Sequence, residues 1–291
     1  MNSLKIIVLA KQVPDTRNVG KDAMKADGTV NRGALPAIFN PEDLHALEQA
    51  LKIKDKNPET EIILLTMGPT RAAEIIREGL FRGVNKGILL TDKRFAGSDT
   101  LATSYALSLA IKKMAPYDLI ICGRQAIDGD TAQVGPQIAQ KLNLPQVTYT
   151  EEITNINGNS IQIKRRLERG FELVEAPLPL LITVHSSAPP CRTRHARLLM
   201  KYKRARSVTE TQEENEDYLQ MQKERPYLHI DEWNVEDIDA DIEMLGLSGS
   251  PTKVKKVENV ILQAKESKIL TESDEHIDWL MKELIQNHTL G

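Results

Sequence analysis

Residues 117–142, YDLIICGRQAIDGDTAQVGPQIAQKL, set the fold. Tyr117–Cys122 is a short, hardly alternating apolar run, the pattern of a strand buried on both faces. Thr131–Leu142 then takes up helical spacing. Between them lies a polar, glycine-bearing loop, Gly123–Pro136. Strand, loop and helix in that order make one βα step, and outward from it the step recurs. Leu4–Ala10, Glu61–Met67 and Gly87–Thr91 read as strands. Pro41–Lys54, Thr70–Gly83 and a segment from Asp99 to Met114 read as helices. Asn40-Pro41 suits a helix start, with asparagine as cap and proline in the first turn. Strands alternating with helices predict an α/β fold: a doubly wound, mostly parallel, Rossmann-like sheet covered on both faces.

Beyond Pro145 the rhythm changes. Thr148–Asn155, the turn Asn157-Gly158-Asn159 and Ser160–Leu167 read as an added β-hairpin. Leu180–Val184 is a further strand placed to return to the main sheet, so the core is expected to end near residue 187. Three parts follow: an α/β domain over 1–206 that includes a basic loop at 190–204, an acidic insertion over 207–245, and an extended C-terminal arm over 246–291. Arg192–Arg206 carries seven Lys and Arg and no acid, whereas Glu210–Glu243 carries thirteen acids against Lys223 and Arg225. Gly246–Thr252, GLSGSPT, reads as a flexible joint. The last helix, Ser273–Asn287, has Ile277, Leu280, Met281 and Leu284 on one side. It is too short to stand alone, so it is expected to dock on its own core or on a partner.

Composition removes several classes of function. The chain is 41% hydrophobic and 27% charged, an ordinary globular balance. A net charge of -3 and only 4% aromatic residues argue against nucleic acid as a partner. No apolar run is long enough to span a membrane, and MNSLKIIVLAKQ lacks a signal-peptide cleavage pattern, so a cytoplasmic chain with no membrane partner is expected. Cys122 and Cys191 cannot make a disulfide framework or a four-thiolate metal site. The six histidines are scattered, and there is no HExxH and no GxSxG elbow, so no catalytic residue and no metal ligand is assigned.

Open parallel sheets take ligands at the carboxyl ends of their strands. Two loops there are polar, Lys11–Arg17 (KQVPDTR) and Gly123–Pro136. In the second, Gly129 lets backbone approach a ligand closely. Asp130 or Thr131 can cap the next helix, whose first amides attract phosphate. Arg124 supplies a fixed positive charge, Gln125 and Gln133 can recognise ribose or ring edges, and Asp128 suits ribose hydroxyls. The same residues would also make a plain strand-to-helix loop with a capping aspartate. With no Gly-x-Gly-x-x-Gly after the first strand and no Walker-type loop, a nucleotide would be held by several loops together. Asn40-Pro41-Glu42-Asp43 and Met67-Gly68-Pro69 are the candidates to join it. In the basic loop, Ala196, Leu198, Leu199 and Met200 form an apolar spot ringed by cations, suited to an acidic partner.

GRQAIDGDTAQVGP resembles the adenine-nucleotide signature of electron-transfer flavoprotein beta subunits. KQVPDT, NPED, MGP, RTRHARLLMKYK and GLSGSPTKV fall where that family has counterparts. The resemblance implies a heterodimer with an alpha subunit that holds an FAD of its own. It implies a second FAD in this chain, or only a structural AMP in housekeeping members. DGDTAQVGP, KQVPDT and Asp27-Gly28-Thr29 look more like the electron-bifurcating members of anaerobes. In those, NADH delivers a hydride to the beta-subunit flavin. One electron then goes to ferredoxin and the other through the alpha subunit to a flavin-dependent dehydrogenase, of acyl-CoA or lactate type. Carried over to this sequence, the cofactor contacts would be Leu9, Ala10, Asn40, Pro41, Glu42, Asp43, Met67, Gly123, Arg124, Gln125, Asp128, Gly129, Asp130, Thr131, Ala132, Gln133 and Val134. Lys11–Asp15 would lie near the flavin or NADH. Arg192, Arg194, Arg197, Leu198, Leu199 and Met200 would belong to the loop that grips the dehydrogenase. That loop reads Arg194-His195-Ala196 here, without the leucine anchor of housekeeping members, which Leu198 or Leu199 would replace. A non-redox adenine-nucleotide scaffold on the same fold is the alternative.

Overall fold

A computed structural model describes residues 3–15, 36–212, 220, 221, 223–252, 268–287 and 289. The chain enters at β1 (Lys5–Leu9), makes a small antiparallel pair from β2 (Gln12–Pro14) and β3 (Ala37–Phe39), and turns into α1 (Pro41–Lys56). β4 (Glu61–Met67), α2 (Ala73–Leu80), β5 (Lys86–Leu90), α3 (Thr100–Lys113), β6 (Leu119–Gly123) and α4 (Val134–Leu142) complete the expected alternation. β7 (Gln146–Asn157), β8 (Ser160–Leu167), β9 (Gly170–Pro177) and β10 (Leu180–Val184) follow. After them come α5 (Ala196–Tyr202), β11 (Arg206–Ser207), α6 (Val208–Gln212), β12 (His229–Trp233) and α7 (Asp274–Gln286).

Ten of these strands form one sheet, in the order β11-β12-β5-β4-β1-β6-β10-β7-β8-β9. Pairing is parallel from β11 through β7 and antiparallel along β7-β8-β9. The apolar runs now have their reason. Ile6, Val8, Ile62, Leu64, Ile121 and Ile182 pack with α1 and α2 on one face. Ile7, Leu9, Ile63, Leu65 and Ile120 pack with α3 and α4 on the other. A strand covered twice has no solvent face and shows no alternation.

Several expectations needed correction. The hairpin became three strands, because the alternating run after Gly170 adds β9. The core does not end near residue 187: β12, inside the stretch read as an acidic insertion, pairs with β5, and β11 pairs with β12. Its sequence, HIDEW, shows just one fully buried residue, Ile230. The helix expected from Thr70 opens as a 3-10 turn, Thr70–Ala72, before α2. The helix expected from Thr131 starts at Val134, because Asp130 and Ala132 have left-handed φ values of 49° and 53° that no right-handed helix includes. GLSGSPT is no loose joint. Asp99 N–H donates to Ser250 Oγ (2.8 Å) and Thr252 N–H to Asp99 Oδ2 (3.0 Å), and Ser250 is buried. Thr16, Arg17, Asp27-Gly28-Thr29, Lys253, Val254 and residues 213–219 lie outside the described residues. α7 spans the expected helix, with Ser273 as its cap and none of its residues buried.

One close approach fixes how α4 lies on the sheet. A Cβ on Gly135 would stand 2.8 Å from Cys122 Sγ and 3.0 Å from Thr183 Cγ2. Gly135→Ala is expected to lift the start of α4 and lower stability by about 1–3 kcal/mol, read from the urea midpoint.

Candidate functional site

The chain runs from β1 outward to β4 and β5, then returns to lay β6 on the other side of β1. Strand order therefore reverses between β1 and β6, where an open α/β sheet forms a crevice at its carboxyl edge. Leu9 ends β1 with Ala10 directly after it, Met67 ends β4, and Gly123 ends β6. The loop after Gly123 is thus placed at the switch point by topology alone.

The first turn of α1 holds that loop in place. Asp43 accepts Lys11 N–H at Oδ2 (2.8 Å) and Gly123 N–H at Oδ1 (2.9 Å), bridging the ends of β1 and β6. Glu42 accepts Gln125 N–H (3.0 Å) and pairs with Arg124 (3.0 Å). Asn40 donates to Gln125 O (2.9 Å) and accepts Ile127 N–H (3.2 Å). Asn40 stands at the cap position of α1 but makes no side-chain cap bond there; its amide serves the loop instead. Gly123 is required, since a Cβ there would lie 2.5 Å from Asp43 Oδ1. Burial pushes the Asp43 carboxyl up to about 7, against hydrogen bonds from Lys11, Asn40 and Gly123 that pull it down.

Most polar side chains nominated for the ligand are already partnered. Arg124 is held by Glu42 and lies 5.7 Å from the Tyr149 ring, itself at φ 58° where β7 shifts register against β10. Gln125 donates to Asp130 (2.9 Å), Asp128 pairs with Lys11 (2.7 Å), and Gln133 accepts from Thr100 (2.9 Å). Neither Asp130 nor Thr131 caps α4. A Cβ on Gly129 would meet nothing within 4 Å, so the chain's own packing does not demand that glycine. Thr100 and Tyr149 were missed: each meets the loop from a distant segment, and no local pattern marks them.

What remains available is backbone. Among the described residues, no hydrogen bond is donated by the N–H groups of Thr131, Ala132, Gln133, Val134 or Gly135. Left-handed Asp130 and Ala132 interleave with other conformations, the alternation that turns successive amides into an anion-binding nest. The nest runs into the positive end of α4. This row of donors fits a phosphate or diphosphate group.

Lys11–Asp15 leave β1 to form β2 beside β3, and Gln12 donates to Arg71 O (3.2 Å) beyond β4. The basic segment splits into inward and outward residues. Arg192 pairs with Glu48 (2.9 Å) and Asp55 (2.6 Å), and Arg194 pairs with Glu78. Leu198 packs against the core, and Leu199 lines a cavity of about 670 Å³ between α2 and α5. Met200 is 62% exposed and Arg197 is also exposed. Among the described residues no helix is long and apolar enough to cross a membrane, and no His, Cys, Asp or Glu cluster fits a metal ion.

Fold and loop together define an open α/β protein with a row of backbone amides, unpaired among the described residues, at its switch point. The family described as "Electron transfer flavoprotein domain" matches residues 27–215. The electron transfer flavoprotein subunit beta of Megasphaera elsdenii is 43% identical over 260 residues, covering 87% of each chain. The caffeyl-CoA reductase-Etf complex subunit CarD of Acetobacterium woodii is 43% identical over 251 residues, covering 86% of each. The acryloyl-CoA reductase electron transfer subunit gamma of Anaerotignum propionicum is 39% identical over 298 positions, covering 99% of this chain and all of its own. The chain belongs to the electron-transfer flavoprotein family, among its beta subunits.

The buried Asp43 makes stability depend on pH. Between about pH 4 and 7 the folded state keeps a proton that the unfolded state has lost, so this group's contribution falls as pH rises through that window. Asp43→Asn, which cannot titrate, is expected to flatten that dependence in urea titrations run from pH 4 to pH 7. In the basic segment, Arg192→Ala leaves Glu48 buried without its partner. It should cost about 1–3 kcal/mol in the same assay, whereas Met200→Ala should leave the urea midpoint unchanged.

Proposed function

We propose that this chain is the beta subunit of an electron-bifurcating electron-transfer flavoprotein and holds an FAD at the crevice between β1 and β6. The amides of Thr131–Gly135 carry this reading, because five successive donors without an acceptor among the described residues suit a diphosphate better than a single backbone turn. Leu9, Ala10 and Met67 line the strand ends against the adenosine, and the residues from Gly123 to Val134 wrap the ribose and phosphates. Asn40, Pro41, Glu42 and Asp43 shape the site from beneath. Lys11–Asp15, led by the Lys11 ammonium, face the flavin or NADH. The flavin, when bound, supplies the exchange between hydride transfer and single-electron transfer. The protein's own part is to bind, orient and insulate it.

The names of the relatives support the partner assignment. Subunits in this family belong to complexes named for caffeyl-CoA and acryloyl-CoA reductases. An alpha subunit carrying its own FAD, ferredoxin as one acceptor and an acyl-CoA or lactate type dehydrogenase as the other complete the proposed system. Exposed Met200 and Arg197 on α5, rather than inward Leu198, present the contact to that dehydrogenase. The exposed apolar side of α7 (Ile277, Leu280 and Met281) docks on the alpha subunit.

The test is nucleotide analysis of the native heterodimer after acid release, with an assay of NADH-dependent ferredoxin reduction. Two flavins per heterodimer and ferredoxin reduction are expected. One flavin and one AMP would keep the family and withdraw the bifurcating assignment.

A further inference from the structure

Asp43 stands apart from the other residues near the loop. Both its oxygens are engaged, one on the end of β1 and one on the end of β6, and the side chain is buried. The Gly123 backbone packs directly against it, leaving no room for another group between carboxylate and strand end. Among the described residues, the neighbouring charged groups have partners. On α1, Glu42 is paired with Arg124 and the Asn40 amide reaches the loop. Beyond β1, the Lys11 ammonium is turned onto Asp128. On β6, the Cys122 thiol is buried and pushed up, first by burial and then by the Asp43 charge. A side chain so committed offers no free oxygen to a ribose hydroxyl.

We propose that Asp43 is a positioning residue that never touches the ligand: its two oxygens set the spacing of the β1 and β6 ends and thereby fix where the amide row Thr131–Gly135 stands. The proposal rests on the reading of that row as the phosphate site. Loop placement is transmitted through the Glu42 and Asn40 bonds to Gln125 and Ile127, so the first turn of α1 acts as one clasp.

The experiment uses Asp43→Asn in the full chain with its partner subunit, freed of resident nucleotide. Asparagine keeps the volume but turns an amide toward one of the two N–H groups. Calorimetric titrations use three probes: AMP, inorganic pyrophosphate and adenosine. AMP and pyrophosphate should weaken by the same factor, about ten-fold or more, while adenosine stays within about two-fold of the natural protein. A loss seen with adenosine and AMP but absent with pyrophosphate makes Asp43 a ligand contact and overturns the proposal. Hydrogen exchange without ligand gives a second readout. Amides of residues 124–130 should exchange about five-fold faster or more in the variant. Unchanged protection overturns the proposal whether or not any probe binds. Faster exchange with no probe bound by the natural protein would remove the nucleotide reading and leave the clasp standing.

Discussion

One buried carboxylate fixes the relation between the two strands on which everything else is mounted. Asp43 receives the amide of Lys11 and the amide of Gly123, and strand order reverses between those two points. Burying an ion there is unfavourable, and burial is what pushes the Asp43 carboxyl above the usual carboxylate range. The fold carries that cost at the one position where two parallel strands must diverge to leave a crevice. Gly123 is the other half of the constraint: only a residue without a side chain lets α1 come this close.

With the loop held from beneath, its polar side chains have work inside the chain. Arg124, Gln125, Asp128 and Gln133 all find internal partners. In the proposed site the ligand-facing chemistry is left to backbone amides, which need no particular side chain. The residue types in the loop thus report its shape more than its contacts. Asp130 and Ala132 matter for the left-handed turns they take.

This explains what could be read from the sequence. The βα alternation was legible because β1, β4, β5, β6 and β10 are buried on both faces and their composition shows it. β12 was not, since Asp231, Glu232 and His229 mask a strand whose inward residue is Ile230. The place of the candidate loop after a buried strand was legible from Gly123 and the run before it. Its internal bonding was not, because Asn40, Glu42 and Asp43 meet the loop only once the sheet has brought distant segments together. A helix start with Asn-Pro looks like a cap from sequence. That Asn40 gives its side chain to residues 125 and 127 is a tertiary fact. That Arg192 and Arg194 pair with acids of the chain itself was not legible, because charge alone does not show an arginine's partner; Arg192 is half-buried and Arg194 exposed. Their acids, Glu48, Asp55 and Glu78, sit on other helices.

The docked GLSGSPT segment bears on the order in which the site is made. Ser250 and Thr252 bind Asp99, Asp99 caps α3, and Thr100 at the start of that helix holds Gln133 beside the free amides. The ligand loop is therefore braced by residues synthesised more than a hundred positions after it. A chain emerging from the ribosome holds every residue of the clasp between α1 and β6 once Ile127 has been added, whereas this brace has all its residues only at Thr252.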